Sequence, residues 1–191
     1  MKIAITGHSS GIGLALAKVL ESRGHEIIGL SRRNGFNIRN IPTVVSKIES
    51  ADIFINNAQA GYAQVELLYA MYEKWKDDRT KHIWCISTEI TRTPVIPEIP
   101  SMNSLQIAEY KNQKVALEEA ARYLQYIKGV NITIIKPGAV ATQPDQSADE
   151  WPYCDVDAWA TAVVDLLADV NKRGLDLKEF SLTACRLKLD L

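Results

Sequence analysis

The chain begins Lys2-Ile-Ala-Ile-Thr6 and runs at once into Gly7-His-Ser-Ser-Gly11-Ile-Gly13, followed by a segment with apolar residues at 12, 15, 16, 19 and 20. An apolar strand, a turn with three glycines and an amphipathic helix constrain the fold more than any other feature. Without Cβ atoms the backbone can turn tightly and approach a bound group closely. The helix after the turn presents unpaired N–H groups and the positive end of its dipole to an anion. The segment therefore reads as a cradle for a nucleotide pyrophosphate, with Gly7, Ser10, Gly11, Ile12 and Gly13 as contacts. The plainer alternative is an ordinary glycine turn. Gly24, after Arg23, is placed to stop the helix in a left-handed conformation.

Length and composition set the frame. The 191 residues suffice for one domain with a sizeable core, and 47% hydrophobic with 24% charged residues is ordinary globular usage. A net charge of -1 argues against an extended nucleic-acid surface. No apolar run reaches the roughly 20 residues that span a bilayer. The first residues already read as core strand, so no leader is expected. Cys85, Cys154 and Cys185 are odd in number, widely spaced and without a metal-ligand pattern. They read as reduced thiols of a cytoplasmic protein, and no metal is expected.

Ile- and Val-rich stretches at 2–6, 26–30, 52–56, 82–87, 130–135 and 179–184 alternate with helical patterns at 12–23, 42–49, 64–76, 104–128 and 156–170. A very short strand is expected at 35–37. Such alternation predicts βαβ units: an α/β, Rossmann-type, doubly wound parallel sheet flanked by helices, in a single domain over 1–191. The segments 89–103, with prolines at 94, 97 and 100, and 142–155 read as irregular. Both follow strand ends where open α/β sheets bind ligands, so they are expected to form the short walls of a substrate site. About 20 residues after Gly13 the second strand ends in Leu30-Ser31-Arg32-Arg33, without the carboxylate that would bond a ribose diol. A small neutral Ser31 and the forked guanidiniums of Arg32 and Arg33 suit a 2′-phosphate, so NADP(H) is preferred over NAD(H). The alternative is a pair of solvated arginines.

Further along stand Asn56-Asn57-Ala58-Gln59, Ile86-Ser87-Thr88, Tyr110-Lys-Asn-Gln-Lys114 and Lys136-Pro137-Gly138-Ala-Val140-Ala-Thr142. In this order the chain resembles the short-chain dehydrogenase/reductase family over nearly its whole length: TGxxxGxG, an NNAG-like turn, a hydroxyl at a strand end, YxxxK and PGxVxT. A second YxxxK match, Tyr72/Lys76, precedes the hydroxyl-bearing strand and reads as core and surface. The resemblance implies that Tyr110 is the general acid in reduction and the base in oxidation. Lys114 lowers its pKa and holds the nicotinamide ribose. It further implies that Asn37 and Ile38 lie beside the adenine and that Asn57 and Ala58 flank the adenosine ribose. Pro137, Gly138, Val140 and Thr142 border the nicotinamide. Asn57 has a second reading, as a cap tying two strands together.

The chemistry of the pair is independent of the resemblance. A free phenol with pKa about 10 is a poor acid near neutrality, and lowering it by about 3 units takes roughly 4 kcal/mol. One ammonium about 4 Å away at an effective dielectric of 20 supplies on the order of 4 kcal/mol. Spacing i, i+4 puts Tyr110 and Lys114 on one helical face. For the hydroxyl, alternation allows only one of Ser87 and Thr88 to face the site in a regular strand; the resemblance to the family's strand end implies Thr88, with Ser87 as the alternative.

Four departures stand out. Gln59 replaces the last glycine of the NNAG turn. The family's active-site asparagine has no counterpart, leaving Gln59 or Gln64 as the candidates to hold a relay water. The segment between the strand at 26–30 and the strand at 52–56 is too short for the usual full helix, and the segment after Thr142 is short. Two functions remain open at this point. One is an NADP(H)-dependent oxidoreductase acting on a small carbonyl or alcohol. The other is a nucleotide-sensing or regulatory binding protein on the same fold. Neither reading calls for a membrane. Family habit leaves room for self-association through helices 64–76 and 104–128. Trp84, Trp151, Trp159 and Tyr153 either line a pocket for a ring-shaped substrate or pack in the core, the commoner role.

Overall fold

The computed structural model describes residues 1–93, 99, 102–127, 129–143, 146 and 153–184. Outside them fall most of the two expected wall segments, Trp151, Cys185 and the Lys128 end of the long helix. The described elements run β1 (Lys2–Thr6), α1 (Gly11–Ser22), β2 (Glu26–Leu30), α2 (Ile41–Ile48), β3 (Ile53–Asn56), α3 (Ala63–Trp75), β4 (His82–Ile86), α4 (Ser104–Tyr126), β5 (Asn131–Pro137), β6 (Val140–Ala141), β7 (Cys154–Asp155), α5 (Val156–Lys172) and β8 (Glu179–Leu182). Six strands form a parallel sheet in the order β2-β1-β3-β4-β5-β8.

The strands are apolar without interruption because both faces are covered. Alternate residues enter two cores. Ala4, Phe54, Ile83, Cys85, Ile132 and Ile134 pack under α2, α3 and α4. Ile3, Ile5, Ile55, Trp84, Ile86 and Ile135 pack under α1 and α5, with Trp159. Trp84 and Trp159 are thus core residues, and Leu117, Ala120, Ala121 and Leu124 turn their apolar surface to the sheet. The chain leaves β1 toward β2 on one side and returns to β3 on the other. This reversal opens a crevice between the carboxyl ends of β1 and β3, where ligands of such sheets bind.

Two local expectations are corrected. Residues 35–37 form no strand. A 3-10 turn at Arg32–Asn34 ends in Gly35 at φ 88°, stabilised by Asn34 Oδ1 accepting from Ser31 N at 2.7 Å. The segment 142–155 is not irregular to its end, since Cys154–Asp155 pairs in parallel with Val140–Ala141. A two-residue strand carries too little periodicity to be read from sequence.

His82, at the start of β4, shows how burial fixes a protonation state. Thr133 Oγ1 gives its only proton to Leu177 O at 2.7 Å, so it must accept from His82 Nε2 at 2.8 Å. Burial pushes the His82 pKa down from 6.5 to about 4. Between those values the unfolded chain binds the proton and the folded chain does not, so stability falls as pH drops through the window. His82→Gln should reduce the pH slope of unfolding free energy between pH 4 and 6.5 by up to about 1.4 kcal/mol per unit, measured by urea denaturation.

Candidate active site

The crevice at the β1/β3 ends has a volume of about 800 Å³ and is lined by Gly7, Ser9, Ser10, Ser31, Arg32, Arg33, Asn37, Ile38, Arg39 and the 57–61 turn, among others. Its floor depends on close backbone approach. A Cβ on Gly13 would lie 2.3 Å from Gly7 O and 2.6 Å from Asn57 Nδ2, so only glycine lets the first turn of α1 sit on the end of β1. Ser10 is the N-cap of α1, yet its hydroxyl caps nothing, and α1 has no acidic residue in its first turn. Unused N–H groups, an unused hydroxyl and no competing carboxylate fit an anionic ligand. Thr142 lies across from this turn, 3.5 Å from a Cβ built on Gly11.

The arginines stand at the far end of the crevice. Arg33 Nη1 donates to Ser9 O at 3.3 Å, while the Arg32 guanidinium has no hydrogen-bond partner among the described residues. Arg39, which the sequence reading passed over, lines the same wall. Asn57 serves as a strand tie: Nδ2 donates to Thr6 O at 2.9 Å, while Asn57 N and Ala58 N donate to Thr6 Oγ1 at 3.0 and 3.1 Å. Its side chain is held beneath the glycine turn. Pro137 ends β5 and Val140 is packed in the α1/α5 core. Gly138 N donates to Leu182 O at 3.0 Å, and a Cβ there would meet Thr183 Cγ2 at 2.7 Å.

At the other end of the crevice, Gln59 Nε2 donates to Gln113 Oε1, joining the 57–61 turn to α4. One face of α4 carries Tyr110 and Lys114, with the Lys114 Nζ 5.6 Å from the Tyr110 ring centroid. The Thr88 side chain lies by the Tyr110 hydroxyl and favours its ionised form. β4 stops at Ile86, and Ser87 continues its alternation toward α4, where its hydroxyl donates to Glu118 Oε1 at 2.5 Å. Thr88 is the hydroxyl that meets the tyrosine. The other YxxxK match separates as expected: Tyr72 is buried in the core, and Lys76 pairs with Glu73 on the surface at 2.8 Å.

The electrostatics differ from the spacing argument. Burial pushes Tyr110 up from its ordinary value, against the pull of the Thr88 side chain. Lys114 is 3% exposed, and burial pulls it down from 10.5 to about 7. Its Nζ donates to Gln64 Oε1 and Ile86 O, each at 2.8 Å, so it lies over the phenol ring and bonds elsewhere. A fully charged ammonium about 4 Å from the hydroxyl, the arrangement that spacing alone suggests, is countered here by the lysine's own desolvation.

The NAD dependent epimerase/dehydratase family model matches residues 3–69. The curated 3-oxoacyl-(acyl-carrier-protein) reductase FabG of Buchnera aphidicola is 26% identical over 78% of this chain and 77% of its own. A 3-ketoacyl-(acyl-carrier-protein) reductase from Brucella melitensis, solved with NADH, superposes with TM-score 0.72 at 16% identity over 97% of both chains. An alcohol dehydrogenase from Thermococcus sibiricus, solved with 5-hydroxy-NADP, gives TM-score 0.70 at 18% identity over 100% of both. The chain shares the fold of these dehydrogenases and reductases. Among the described residues there is no metal-ligand cluster and no helix long and apolar enough to cross a membrane. A second, more apolar cleft of about 690 Å³ lies at the opposite end of the sheet, lined by Ile3, Leu20, His25, Arg79 and Trp84 among others, away from every motif.

His8 gives the glycine turn an unexpected support. A Cβ on Gly29 of β2 would lie 2.3 Å from His8 Cδ2, so the imidazole rests on a bare glycine backbone. Gly29→Ala should displace His8, destabilise the fold by about 1–3 kcal/mol and weaken dinucleotide binding. The His8→Ala/Gly29→Ala pair should recover most of that stability in thermal unfolding, because the clash is gone.

Proposed function

We propose that this protein is an NADP(H)-dependent oxidoreductase that reduces a small-molecule carbonyl to an alcohol. The observation that carries the reading is the Thr88–Tyr110–Lys114 constellation at the carboxyl end of β4, at the edge of an anion-binding crevice. A bound nicotinamide dinucleotide would supply the hydride. Gly7, Ser10, Gly11, Ile12 and Gly13 would hold its pyrophosphate through backbone N–H groups and the Ser10 hydroxyl. Ser31, Arg32 and Arg33 would take the 2′-phosphate, with Asn37, Ile38 and Ala58 lining the adenosine end. Asn57 contributes by locking the turn, and Thr142 by closing the phosphate side. Pro137, Gly138 and Val140 set the position of the 137–142 turn.

The chain's own groups manage the proton. Thr88 orients a substrate carbonyl by hydrogen bonding, and Tyr110 donates its phenolic proton to the oxygen as negative charge develops there. Burial, which pushes the Tyr110 pKa up, keeps that proton in place near neutrality. The resting site is therefore set for reduction, and alcohol oxidation should require alkaline pH. Lys114 carries the positive charge nearest the phenol and stabilises the phenolate left behind. The carbonyl reduction named for the Buchnera and Brucella relatives supports this reading.

Tyr110→Phe should lower kcat for carbonyl reduction by about 10²–10⁴-fold while leaving NADPH affinity within a few-fold, measured by NADPH absorbance and by titration. Retained turnover would reject the role. A wild type that binds NADPH without turning over a broad panel of aldehydes and ketones would favour a sensing protein. Arg32→Ala should weaken NADPH binding by about 10- to 100-fold and leave NADH binding nearly unchanged, the signature of a lost charge-assisted phosphate contact. Isothermal titration with both cofactors checks it.

A further inference from the structure

The Gln64 amide has its orientation fixed by its neighbours. Nε2 lies 2.8 Å from Asn56 O and 3.4 Å from Ile86 O, both acceptors, so the amide must turn its NH₂ to them and its oxygen to Lys114. Reversed, it would set oxygen against two carbonyls and an amine against an ammonium. Asn56 Nδ2 returns a bond to Gln64 O at 2.8 Å, which locks the first turn of α3 to the end of β3. Gln64 is 3% exposed, and no other residue of α3 is recorded in contact with Nζ. Of the three ammonium donors, Gln64 Oε1 and Ile86 O take two at 2.8 Å each. Both acceptors are neutral.

We propose that Gln64 is a positioning residue, whose amide oxygen holds the Lys114 ammonium over Tyr110 without cancelling its charge. This rests on the function proposed above, and it goes beyond it by assigning a residue that reaches the reaction only through Lys114. The titratable groups facing Lys114 are the Cys85 thiol from β4 and Glu118 and Tyr110 from α4, while β3 and α3 offer the neutral Asn56 and Gln64. Glu118 is already engaged by Ser87, Thr91, Arg122 and Lys136. Lys114 titrates near neutrality because burial pulls it down, so losing one acceptor tips the ammonium to the neutral amine at working pH. A carboxylate in place of the amide would do the reverse. It would keep the ammonium charged and neutralise its field at the phenol.

The two substitutions therefore separate. Gln64→Met should lower the Lys114 pKa by about one to two units, read from its Cε resonance assigned by loss of the signal in Lys114→Arg. The same variant should lose kcat by about tenfold or more at pH 8, with the pH–rate profile displaced to acid. Gln64→Glu should raise the Lys114 pKa and displace the Tyr110-dependent limb of the profile to alkaline pH. Opposite displacements would support the assignment, because a merely structural role would lower kcat in both without moving either titration. A folded Gln64→Met with Lys114 titrating as in wild type would overturn it. Should Gln64→Met not fold, Gln64→Asn, which keeps an amide one methylene shorter, is read in the same way. Displaced Lys114 titrations in a protein with no wild-type turnover would reject the oxidoreductase reading and leave the tether standing. Turnover with an unmoved Lys114 would reject the tether alone.

Discussion

An ammonium shut away from water, with two neutral carbonyl oxygens as its recorded hydrogen-bond partners, sets the terms for the rest of the site. Lys114 can occupy this position only if three elements meet: α4 to carry it, β4 to offer Ile86 O, and α3 to offer Gln64. The sheet order puts β3 and β4 side by side, and the crossover helices α3 and α4 then lie next to each other on one face. Gln64 at the start of α3 and Lys114 in α4 come together from 50 residues apart in sequence. Tyr110 follows from the helix period, one turn earlier on the same face. Thr88 follows from the end of β4, where the chain leaves the ladder and its alternation no longer holds.

The cofactor crevice depends on a different constraint, the closeness of backbone to backbone at the β1 end. Gly13 lies against Gly7 O, and Asn57 fills the space below while pairing with Thr6. On the far side His8 rests on Gly29. Each contact would be broken by a single Cβ, so the turn is held by missing atoms as much as by bonds. The same arrangement puts Ser10, the N-cap of α1, on the crevice wall with no side-chain cap bond. Close packing and an open helix N-terminus thus arise from one geometry, and Asn57 supports it by pairing with Thr6.

Most of the sheet was legible because buried parallel strands read as unbroken Ile/Val runs, and the helices because their apolar residues recur at 3.6-residue spacing. The order of the motifs along the chain pointed to the fold, since topology fixes which strand end each one reaches. Gly35–Asn37 failed as a strand because Ser31 and Asn34 build a local hydrogen-bonded turn, a competition that periodicity does not register. β6 and β7 were too short to show. Lys114 was recognised, although its charge state was not, because a spacing rule gives the face of a helix and says nothing about what desolvates it. Gln64 had a weak signal: a polar residue opening an apolar helix that the core otherwise claims. Arg39 had one too, as a third arginine within eight residues of Ser31.

Glu118 explains how the lysine's charge survives its surroundings. It stands one turn beyond Lys114 on α4 and is 3% exposed, so an ion pair between the two would be the simple outcome. Instead its carboxylate is filled from the other side. Ser87 and Thr91 donate to Oε1 at 2.5 and 2.8 Å, and Arg122 and Lys136 donate to Oε2 at 2.8 and 2.9 Å. Lys136, itself 1% exposed, is in turn shared with Glu179 at 3.4 Å. A buried carboxylate with four donors has no coordination left for Lys114, while a carboxylate with fewer would draw the ammonium away from Tyr110. The second buried lysine, Lys136 on β5, thereby holds Glu118 and leaves Lys114 with neutral partners.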